Sequence, residues 1–301
     1  MEIPKSAIRN PQSARPLFQR MAIIGVGLIG GSLALAARKA GLVESVVGID
    51  VDPEHRRVAL EMGMVDRASG HLGDGLAGAD LAVLAVPVTQ IVSLLPQTAR
   101  RVGGACLLTD VGSVKGRIVA AGDAAFPDGR FVAGHPIAGR ERSGPTAAQE
   151  DLFERANWIA TPSLRTQDAA LERISELWRG VGSTVVRMDV DWHDEVFATV
   201  SHLPHLVAYA LMDAVLSMNQ GDERLKFAAG GLRDFTRVAA SHPAMWTDIF
   251  LMNREQVLRV LTAYQGALGR LEAAIREGNG EALTAYLARA RIAREEMTHR
   301  P

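Results

Sequence analysis

The first half of the chain alternates between short apolar runs and longer stretches in which apolar residues recur every three or four positions. The apolar runs have the length of strands and occupy residues 21–24, 45–49, 81–85, 105–109, 131–133, 158–160 and 184–186. The helical patterns between them occupy residues 28–40, 53–62, 90–101, 114–125 and 169–180. Strands separated by helices of this length predict βαβ units, and hence a mainly parallel sheet that is covered by helices on both faces.

The pattern changes at about residue 189, after which strand-like runs no longer occur. Helical periodicity continues over residues 192–217, 223–239, 244–277 and 281–296. In the third of these stretches apolar residues recur at spacings of three, four and seven, so this helix would pack against another helix or against another chain. We therefore expect the helical region to bury part of its apolar surface in a homodimer.

A G-x-G-x-x-G motif joins the first predicted strand to the first helix. Gly25 would permit the tight turn, Gly27 would let the backbone approach a pyrophosphate, and Gly30 would let the helix pack closely on the strand. The N-terminus of the helix, at Leu28 and Ile29, would then face the anion. The motif predicts a dinucleotide-binding site.

Asp50 ends the next apolar run, about twenty positions after the last glycine of the motif. Its carboxylate would accept hydrogen bonds from the ribose hydroxyls and would repel a 2′-phosphate, which favours NAD over NADP. Arg56 and Arg57 follow closely and could still reach such a phosphate, so NADP stays open as an alternative cofactor.

These patterns together predict an α/β protein with two domains. Residues 18–188 would form an N-terminal Rossmann-type dinucleotide-binding domain, and residues 189–301 would form an all-helical C-terminal domain for substrate binding and dimerisation. Residues 1–17 mix three prolines with charged side chains and lack the apolar core of a signal peptide, so we expect a flexible extension there.

Charge and composition narrow the range of partners. The formal net charge of −1 gives no electrostatic case for nucleic acid or an anionic membrane, and no apolar stretch is long enough to span a bilayer. Cys106 is the single cysteine, so no intrachain disulfide can form, and its apolar surroundings in the sequence predict a core residue. We expect a cytoplasmic globular protein that acts on a small molecule.

The loops at the carboxyl ends of the predicted strands are candidate site segments, because open parallel sheets bind ligands there. Val86 and Pro87 follow the third predicted strand and would border the cofactor. Ser113 follows the fourth strand, either as the N-cap of the next helix or as a hydroxyl that holds cofactor and substrate. His135 follows the fifth strand, with its backbone restricted by Pro136. Its ring could take a proton from an alcohol as hydride departs, and the alternative is a surface or capping histidine.

The helical half carries two further groups of polar residues. His202 and His205 are three positions apart and share nearly one helical face, but no carboxylate or cysteine beside them completes a metal set, so we expect no metal. Arg233 and Arg237 are four positions apart, and this glycine-flanked pair near Trp246 could clamp a carboxylate. The alternative for such a pair is a solvated position on the surface.

Five motifs follow one another along residues 21–301: G-x-G-L-I-G-G-S, D-x-G-S-V-K, G-H-P-I-A-G-x-E-x-S-G, S-H-L-P-H, and G-x-R-D-x-T-R followed by P-x-M-W. In this combination the sequence resembles the prephenate/arogenate (cyclohexadienyl) dehydrogenase family of tyrosine biosynthesis. The resemblance implies a Rossmann domain joined to a helical dimerisation domain, with the substrate between them. It also implies NAD(P)-dependent removal of hydride from prephenate, arogenate or both, with loss of carbon dioxide, to give 4-hydroxyphenylpyruvate or tyrosine.

The resemblance also implies roles for the residues that carry the chemistry. His135 corresponds to the catalytic histidine, which pairs with the ring 4-hydroxyl of the substrate. Ser113 corresponds to the serine that orients this histidine and the nicotinamide. Arg237 corresponds to the arginine that binds a substrate carboxylate.

The resemblance implies that further residues complete the pocket. His205 would contact the substrate, and His202 would support the histidine motif. Glu141 and Arg233 would form a charged pair that closes over the site. Trp246 would complete the pocket, either in its own subunit or in the partner.

Two other functions stay open at this point. A different two-domain dehydrogenase, acting on β-hydroxy acids, would carry a catalytic lysine at the start of a helix in the second domain, and residues 189–217 contain none. A non-catalytic NAD-binding regulatory protein would have lost the catalytic positions, whereas His135, Ser113 and Arg237 are present. The choice between prephenate and arogenate would depend on one or two pocket residues that the motifs do not identify.

Overall fold

The computed structural model describes residues 15–139 and 142–298. Six parallel strands form the central sheet, in the order β3-β2-β1-β4-β5-β6. These strands are β1 (Phe18–Ile24), β2 (Val43–Ile49), β3 (Arg67–Ser69), β4 (Leu81–Leu84), β5 (Leu107–Asp110) and β6 (Phe131–Val132). The strand order reverses between β1 and β4, and their carboxyl ends form the switch point at which such sheets bind ligands.

Helices connect the strands of the central sheet. They are α1 (Leu28–Lys39), α2 (Pro53–Glu61), α3 (Leu72–Leu76), α4 (Val88–Ala99) and α5 (Gly116–Ala125). The short elements β3 and α3 are additional to the predicted ones, because three and five residues are too few for a clear periodic pattern.

The central strands are buried on both faces, as the sequence pattern predicts. Met21 and Ile23 of β1 belong to one apolar cluster, and Ala22 and Ile24 belong to a second one. All four side chains are at most 3 % exposed. Cys106 is buried too, and burial raises the pKa of its thiol to about 12, as expected of a core residue. Strands covered on both sides are typical of α/β proteins, and the predicted fold class is confirmed.

The strands that follow β6 form a second sheet and do not extend the central one. β7 (Gly134–Pro136) pairs antiparallel with β8 (Asn157–Ala160), and β8 pairs parallel with β9 (Thr184–Arg187), which follows α6 (Asp168–Gly180). His135 therefore lies within a strand of the second sheet, and its predicted position in a loop after the last central strand is wrong. The indole of Trp158 packs on Gly134, where an added Cβ would be 2.4 Å from Cζ2. Only glycine leaves room for the ring in this pairing.

Residues 190–252 form shorter helices than the sequence pattern predicts. They are α7 (Val190–Phe197), α8 (Leu203–Ser217), α9 (Gly221–Leu225), α10 (Gly230–Thr236) and α11 (Pro243–Met252). A π-helical turn, Ala198–His202, separates α7 from α8, and a 3₁₀ turn, Arg237–Ala240, follows α10. π-Helical turns are rare and frequently occur at functional sites.

A pair of helices, α12 (Arg254–Arg276) and α13 (Gly280–Thr298), forms a separate compact unit. The single helix predicted over residues 244–277 is in fact divided between α11 and α12, which are separated at Asn253. α12 carries an apolar stripe in which Leu268 and Ile275 are 47 % and 66 % exposed. No helix in the described ranges is long and apolar enough to cross a membrane.

Candidate functional site

The glycine loop between β1 and α1 combines two crowded positions with one open position. Gly25 has a φ of +95°, and its N–H donates to the carbonyl oxygen of Ile49 at 2.7 Å. A Cβ on Gly30 would lie 2.1 Å from the carbonyl oxygen of Gly25. By contrast, a Cβ on Gly27 would meet no atom within 4 Å. Gly27 precedes the first turn of α1, which contains no acidic residue, so this open backbone can receive an anion.

Asp50 is held beside this loop at the end of β2. Its Oδ2 accepts a hydrogen bond from the N–H of Val26 at 3.1 Å, and its Oδ1 accepts one from the N–H of Asp52 at 2.9 Å. His55 Nδ1 lies 3.4 Å from the same carboxylate. Both carboxylate oxygens are thus oriented by backbone amides at the place where the ribose of a dinucleotide is expected.

The two arginines that could have bound a 2′-phosphate already have protein partners. Arg56 donates from Nη1 to the carbonyl oxygen of Asp50 at 2.6 Å. Arg57 pairs with Glu54 and Glu61 on its own helix. Arg56 and Arg57 are therefore already oriented by a carbonyl oxygen and by two carboxylates of the protein.

The other predicted cofactor residues surround the same loop. Val86 is half-buried, and its Cγ1 would lie 2.8 Å from a Cβ on Gly25. Pro87 precedes α4, and Leu28 and Ile29 are half-buried in the first turn of α1. The structure therefore brings these residues together at the switch point.

His135 contacts a second histidine that sequence reasoning missed. His135 is half-buried on β7, and its Nδ1 lies 3.0 Å from Nε2 of His193 on α7. The ring of Phe197, one turn later on α7, packs edge-on against His135 with centroids 4.8 Å apart. α7 thus supplies both a polar and an apolar contact to His135.

Asp194 continues this chain of contacts into the N-terminus of α5. Its Oδ1 lies 2.8 Å from His193 Nδ1 and accepts a hydrogen bond from the N–H of Lys115 at 2.8 Å. Its Oδ2 accepts one from the N–H of Gly116 at 2.8 Å. Ser113, which is half-buried in the β5–α5 loop, is therefore not the cap of α5. The cap comes from Asp194, in the helical half of the chain.

Lys115 is fully buried between β5 and β7. Its Nζ donates to Asp110 Oδ2 at 2.5 Å and to the carbonyl oxygen of Gly134 at 2.8 Å. Asp110 also accepts hydrogen bonds from the N–H groups of Gly112 and Gly134. This buried ion pair fixes the start of β7 beside the end of β5, and so fixes the backbone next to His135.

The electrostatic surroundings keep both histidines neutral. Burial, together with the neighbouring His193 and Lys115, holds the pKa of His135 well below its ordinary value, and His202 acts in the same direction. Burial likewise lowers the pKa of His193, although the hydrogen bond to Asp194 opposes the shift. A neutral imidazole at neutral pH can act as a proton acceptor.

His202, in the π-helical turn, forms a buried link to the same cluster. Its Nδ1 lies 3.2 Å from Asn253 Nδ2, which also donates to the carbonyl oxygen of Asp194 at 2.8 Å. Burial lowers the pKa of His202 to about 4, so the imidazole is neutral and its Nδ1 accepts this hydrogen bond. His202 is therefore linked to Asp194 through the side chain of Asn253.

His205, Trp246 and Arg237 form a second group. The ring of His205 stacks on the indole of Trp246, with centroids 3.7 Å apart. Burial and then the positive charge of Arg237 lower the pKa of His205, although a hydrogen bond to the carbonyl oxygen of Ser201 opposes the shift. Arg237 is exposed in the 3₁₀ turn that follows α10, and Arg233 is exposed on α10 itself. Glu141 lies outside the described residues.

Sequence reasoning missed His193, Asp194 and Asn253, and read Lys115 only as part of a motif. The His193–Asp194 dipeptide at the start of a helix was the available signal, since adjacent histidine and carboxylate side chains often act together. Lys115 has a signal as well, because a lysine that follows a predicted buried strand so closely can pair with the strand's terminal Asp110. Within the described ranges, no group of three or more histidine, cysteine or acidic residues is arranged to hold a metal ion.

Comparison with known proteins agrees with this arrangement. Residues 33–187 match the family model described as "Prephenate dehydrogenase, nucleotide-binding domain", and residues 189–289 match "Prephenate dehydrogenase, dimerization domain". Prephenate dehydrogenase of Bacillus subtilis (strain 168) is 36% identical over 278 residues, which are 91% of this chain and 75% of that protein. Cyclohexadienyl dehydrogenase of Zymomonas mobilis is 33% identical over 280 residues, which are 92% and 96% of the two chains.

A solved structure of a relative extends the similarity to three dimensions. Prephenate dehydrogenase from A. aeolicus, crystallised in complex with hydroxyphenyl propionate and NAD+, aligns with a TM-score of 0.88 at 35% sequence identity. The alignment covers 93% of this chain and 98% of that one. The chain therefore belongs to the prephenate dehydrogenase family.

Proposed function

We propose that this protein oxidises prephenate, arogenate or both with NAD and releases carbon dioxide, giving 4-hydroxyphenylpyruvate or tyrosine. The observation that carries the proposal is the position of His135 beside the end of a central strand, where its Nδ1 lies 3.0 Å from Nε2 of His193 and the neighbouring N–H of Gly134 donates to Asp110. The names of the relatives, prephenate and cyclohexadienyl dehydrogenase, support the same substrate class.

NAD fits the glycine loop of this structure. The open backbone at Gly27 would accept the pyrophosphate, and the oriented carboxylate of Asp50 would accept the ribose hydroxyls. Leu28, Val86 and Pro87 would border the bound nucleotide. NAD supplies the acceptor for the hydride, and its use over NADP is supported by the protein partners of the neighbouring arginines.

His135 acts on the ring hydroxyl of the substrate. As the C4–H bond breaks and its electron pair leaves with the hydrogen, the neutral imidazole takes the hydroxyl proton. The bond from C1 to the carboxylate breaks, its electron pair enters the ring, and the ring becomes aromatic. The product keeps its hydroxyl, so the proton returns from the imidazole to the same oxygen. Ser113, in the loop before α5, would orient His135 and the nicotinamide.

Arg237 and His205 would bind the rest of the substrate. The guanidinium of Arg237 acts electrostatically on His205, and a guanidinium can pair bidentately with a carboxylate. The indole of Trp246 holds the imidazole of His205 by stacking in the same chain. A closing pair between Glu141 and Arg233 is also part of this proposal.

The domain boundary near residue 188 and a homodimer through the helical part complete the proposal. The two family matches end and begin at residues 187 and 189, which supports the boundary. The second match is described as a dimerization domain, and α12 carries an exposed apolar stripe. Both observations support pairing of two copies through residues 189–301.

A single assay tests the proposed reaction. The purified protein is mixed with NAD or NADP and with prephenate or arogenate, and the absorbance of the reduced nicotinamide is followed. We expect turnover with NAD and at least one of the two substrates, and kcat/KM for each substrate then gives the preference. Absence of turnover in all four combinations would refute the proposal, and activity with β-hydroxy acids instead would support the alternative dehydrogenase.

A further inference from the structure

We propose that His193 and Asp194 are positioning residues that set the tautomer of His135. A chain of hydrogen bonds, with its direction imposed by the N-terminus of α5, would place the proton on Nδ1 of His135 and leave the lone pair on Nε2 for the substrate. This inference rests on the proposed role of His135 as the proton acceptor.

The donor and acceptor roles in this series of hydrogen bonds are determined at Asp194, where it meets the N-terminus of α5. The backbone amides of Lys115 and Gly116 can only donate, so both carboxylate oxygens of Asp194 act as acceptors. Burial would raise the pKa of Asp194, but its hydrogen bonds with His193 and the two amides keep the pKa below its ordinary value. The carboxylate is therefore ionised at neutral pH and has no proton to offer to His193.

The contact with Asp194 in turn determines which ring nitrogen of His193 carries the proton. Its Nδ1 lies 2.8 Å from Asp194 Oδ1, and a contact with an ionised carboxylate requires Nδ1 to carry a proton. His193 is fully buried and neutral, so its Nε2 carries none and can only accept. Nε2 lies 3.0 Å from Nδ1 of His135, which must then be the donor. The Nε2 of His135 is left without a proton.

The surroundings of His135 keep its imidazole neutral, so that only one of its two ring nitrogens carries a proton. The groups that face it are His193 on α7, Lys115 before α5 and His202 in the π-helical turn, and all three disfavour a positive charge on His135. Asn253 donates to the carbonyl oxygen of Asp194 and so holds the acid in place. A neutral histidine side chain in water prefers the proton on Nε2. The hydrogen bonds through His193 and Asp194 therefore select the less common tautomer of His135, which is the one that the reaction requires.

The same hydrogen bonds also stabilise the positive charge that His135 gains during the reaction. When Nε2 takes the hydroxyl proton, His135 becomes an imidazolium whose Nδ1–H still donates to His193. The negative charge of Asp194, two hydrogen bonds away, stabilises that cation without a second proton transfer. The proton then returns from Nε2 to the product oxygen, and the original tautomer is restored.

The tautomer can be measured directly by ¹⁵N NMR on protein labelled at histidine, because a protonated and an unprotonated ring nitrogen have different chemical shifts. The signals of His135 are assigned from their loss in His135→Asn. In the native protein at neutral pH, without substrate or NAD, we expect a protonated Nδ1 and an unprotonated Nε2. A proton on Nε2 would overturn the inference, and this measurement needs no variant of His193 to fold.

Variants of His193 give the functional test. In His193→Phe the acceptor is lost, so we expect the proton of His135 to move to Nε2 and kcat/KM to fall roughly 10²-fold, with the Kd for NAD unchanged. His193→Gln keeps an amide oxygen as acceptor, and we expect it to restore the native tautomer and part of the activity. The control is Phe126→Leu, which removes a buried ring at the far end of α5 and should leave the tautomer unchanged.

The outcomes separate this inference from the proposed function. An unchanged tautomer in His193→Phe would overturn the role of His193, whether or not the protein turns over prephenate. Absence of turnover in the native protein would refute the proposed function and leave the tautomer measurement interpretable. A tautomer change in Phe126→Leu equal to that in His193→Phe would show that general loosening, and not the hydrogen-bond chain, controls His135.

Discussion

Replacing Gly27 by alanine should separate cofactor binding from folding. Gly27 is extended, with a φ of −79° that lies outside the left-handed region favouring glycine, and the added Cβ meets no protein atom within 4 Å. Alanine is a poorer N-cap than glycine, so we expect the free energy of unfolding to fall by up to about 1 kcal/mol. The same methyl group would stand where the pyrophosphate approaches the backbone.

The expected loss of affinity follows from that position. Losing one hydrogen bond from a backbone amide to a charged phosphate costs about 1.5–3 kcal/mol. This corresponds to a Kd for NAD that is raised roughly 10- to 100-fold. The Kd is measured by calorimetric titration with NAD, and the stability by urea unfolding of the same sample.

Gly30→Ala is the matched control, because it adds the same methyl group at a crowded position of the same loop. Its Cβ would lie 2.1 Å from the carbonyl oxygen of Gly25 and 2.9 Å from Cγ2 of Ile23. Overpacking of this kind costs roughly 1–3 kcal/mol, so the urea midpoint should fall. If Gly27→Ala binds NAD within about threefold of the native Kd, or loses as much stability as Gly30→Ala, the open position is not the pyrophosphate site.

Three further predictions concern the proposed active site. His135→Asn should lower kcat by roughly 10²- to 10⁴-fold with little change in the Kd for NAD, and native turnover would exclude His135 as the base. Arg237→Gln should mainly raise KM for the substrate, whereas an unchanged KM would exclude it as a carboxylate ligand. The low pKa of His202 means that the unfolded chain binds a proton that the folded protein does not. Stability should therefore fall by up to about 3 kcal/mol as the pH drops from about 6.5 towards 4. Urea unfolding of His202→Gln across this range should show a smaller loss, and a loss equal to the native one would contradict the assignment.

The cofactor half of the site could be predicted from sequence because its constraints are local. The turn at Gly25, the open N-terminus at Gly27 and the crowding at Gly30 all arise within six residues that join one strand to one helix. Asp50 ends the neighbouring strand, so the parallel pairing of β1 with β2 brings it to the same edge. Secondary structure alone is enough to assemble this half.

The partners of His135 could not be predicted in this way. His193 is 58 positions from His135, and Asp194 is 79 positions from the backbone amide that it caps at Lys115. Such contacts depend on how the helices pack, and periodicity carries no information about that. Lys115 is a partial exception, because its partner Asp110 is only 5 positions earlier in the chain, although its burial depends on β7 and the carbonyl oxygen of Gly134.

The sequence pattern does not indicate where a helix ends when the end is determined by a side chain with a distant hydrogen-bond partner. The pattern continues across Asn253, but its amide group donates to the carbonyl oxygen of Asp194, and α11 ends just before it. The turn that ends at His202 likewise breaks a regular apolar pattern without any proline or glycine inside it. In both cases a buried hydrogen bond outweighs local helix propensity.

The cap on α5 has a consequence for how this protein can be divided. A domain exchange between relatives at residue 188 would transfer α5 and leave behind the acid that completes it, since Asp194 comes from the following segment. The compact unit that contains both continues to Asn253. The boundary proposed near residue 188 is therefore crossed by the cap on α5, and the smallest segment that keeps the hydrogen bonds from His135 to Lys115 intact extends into α7.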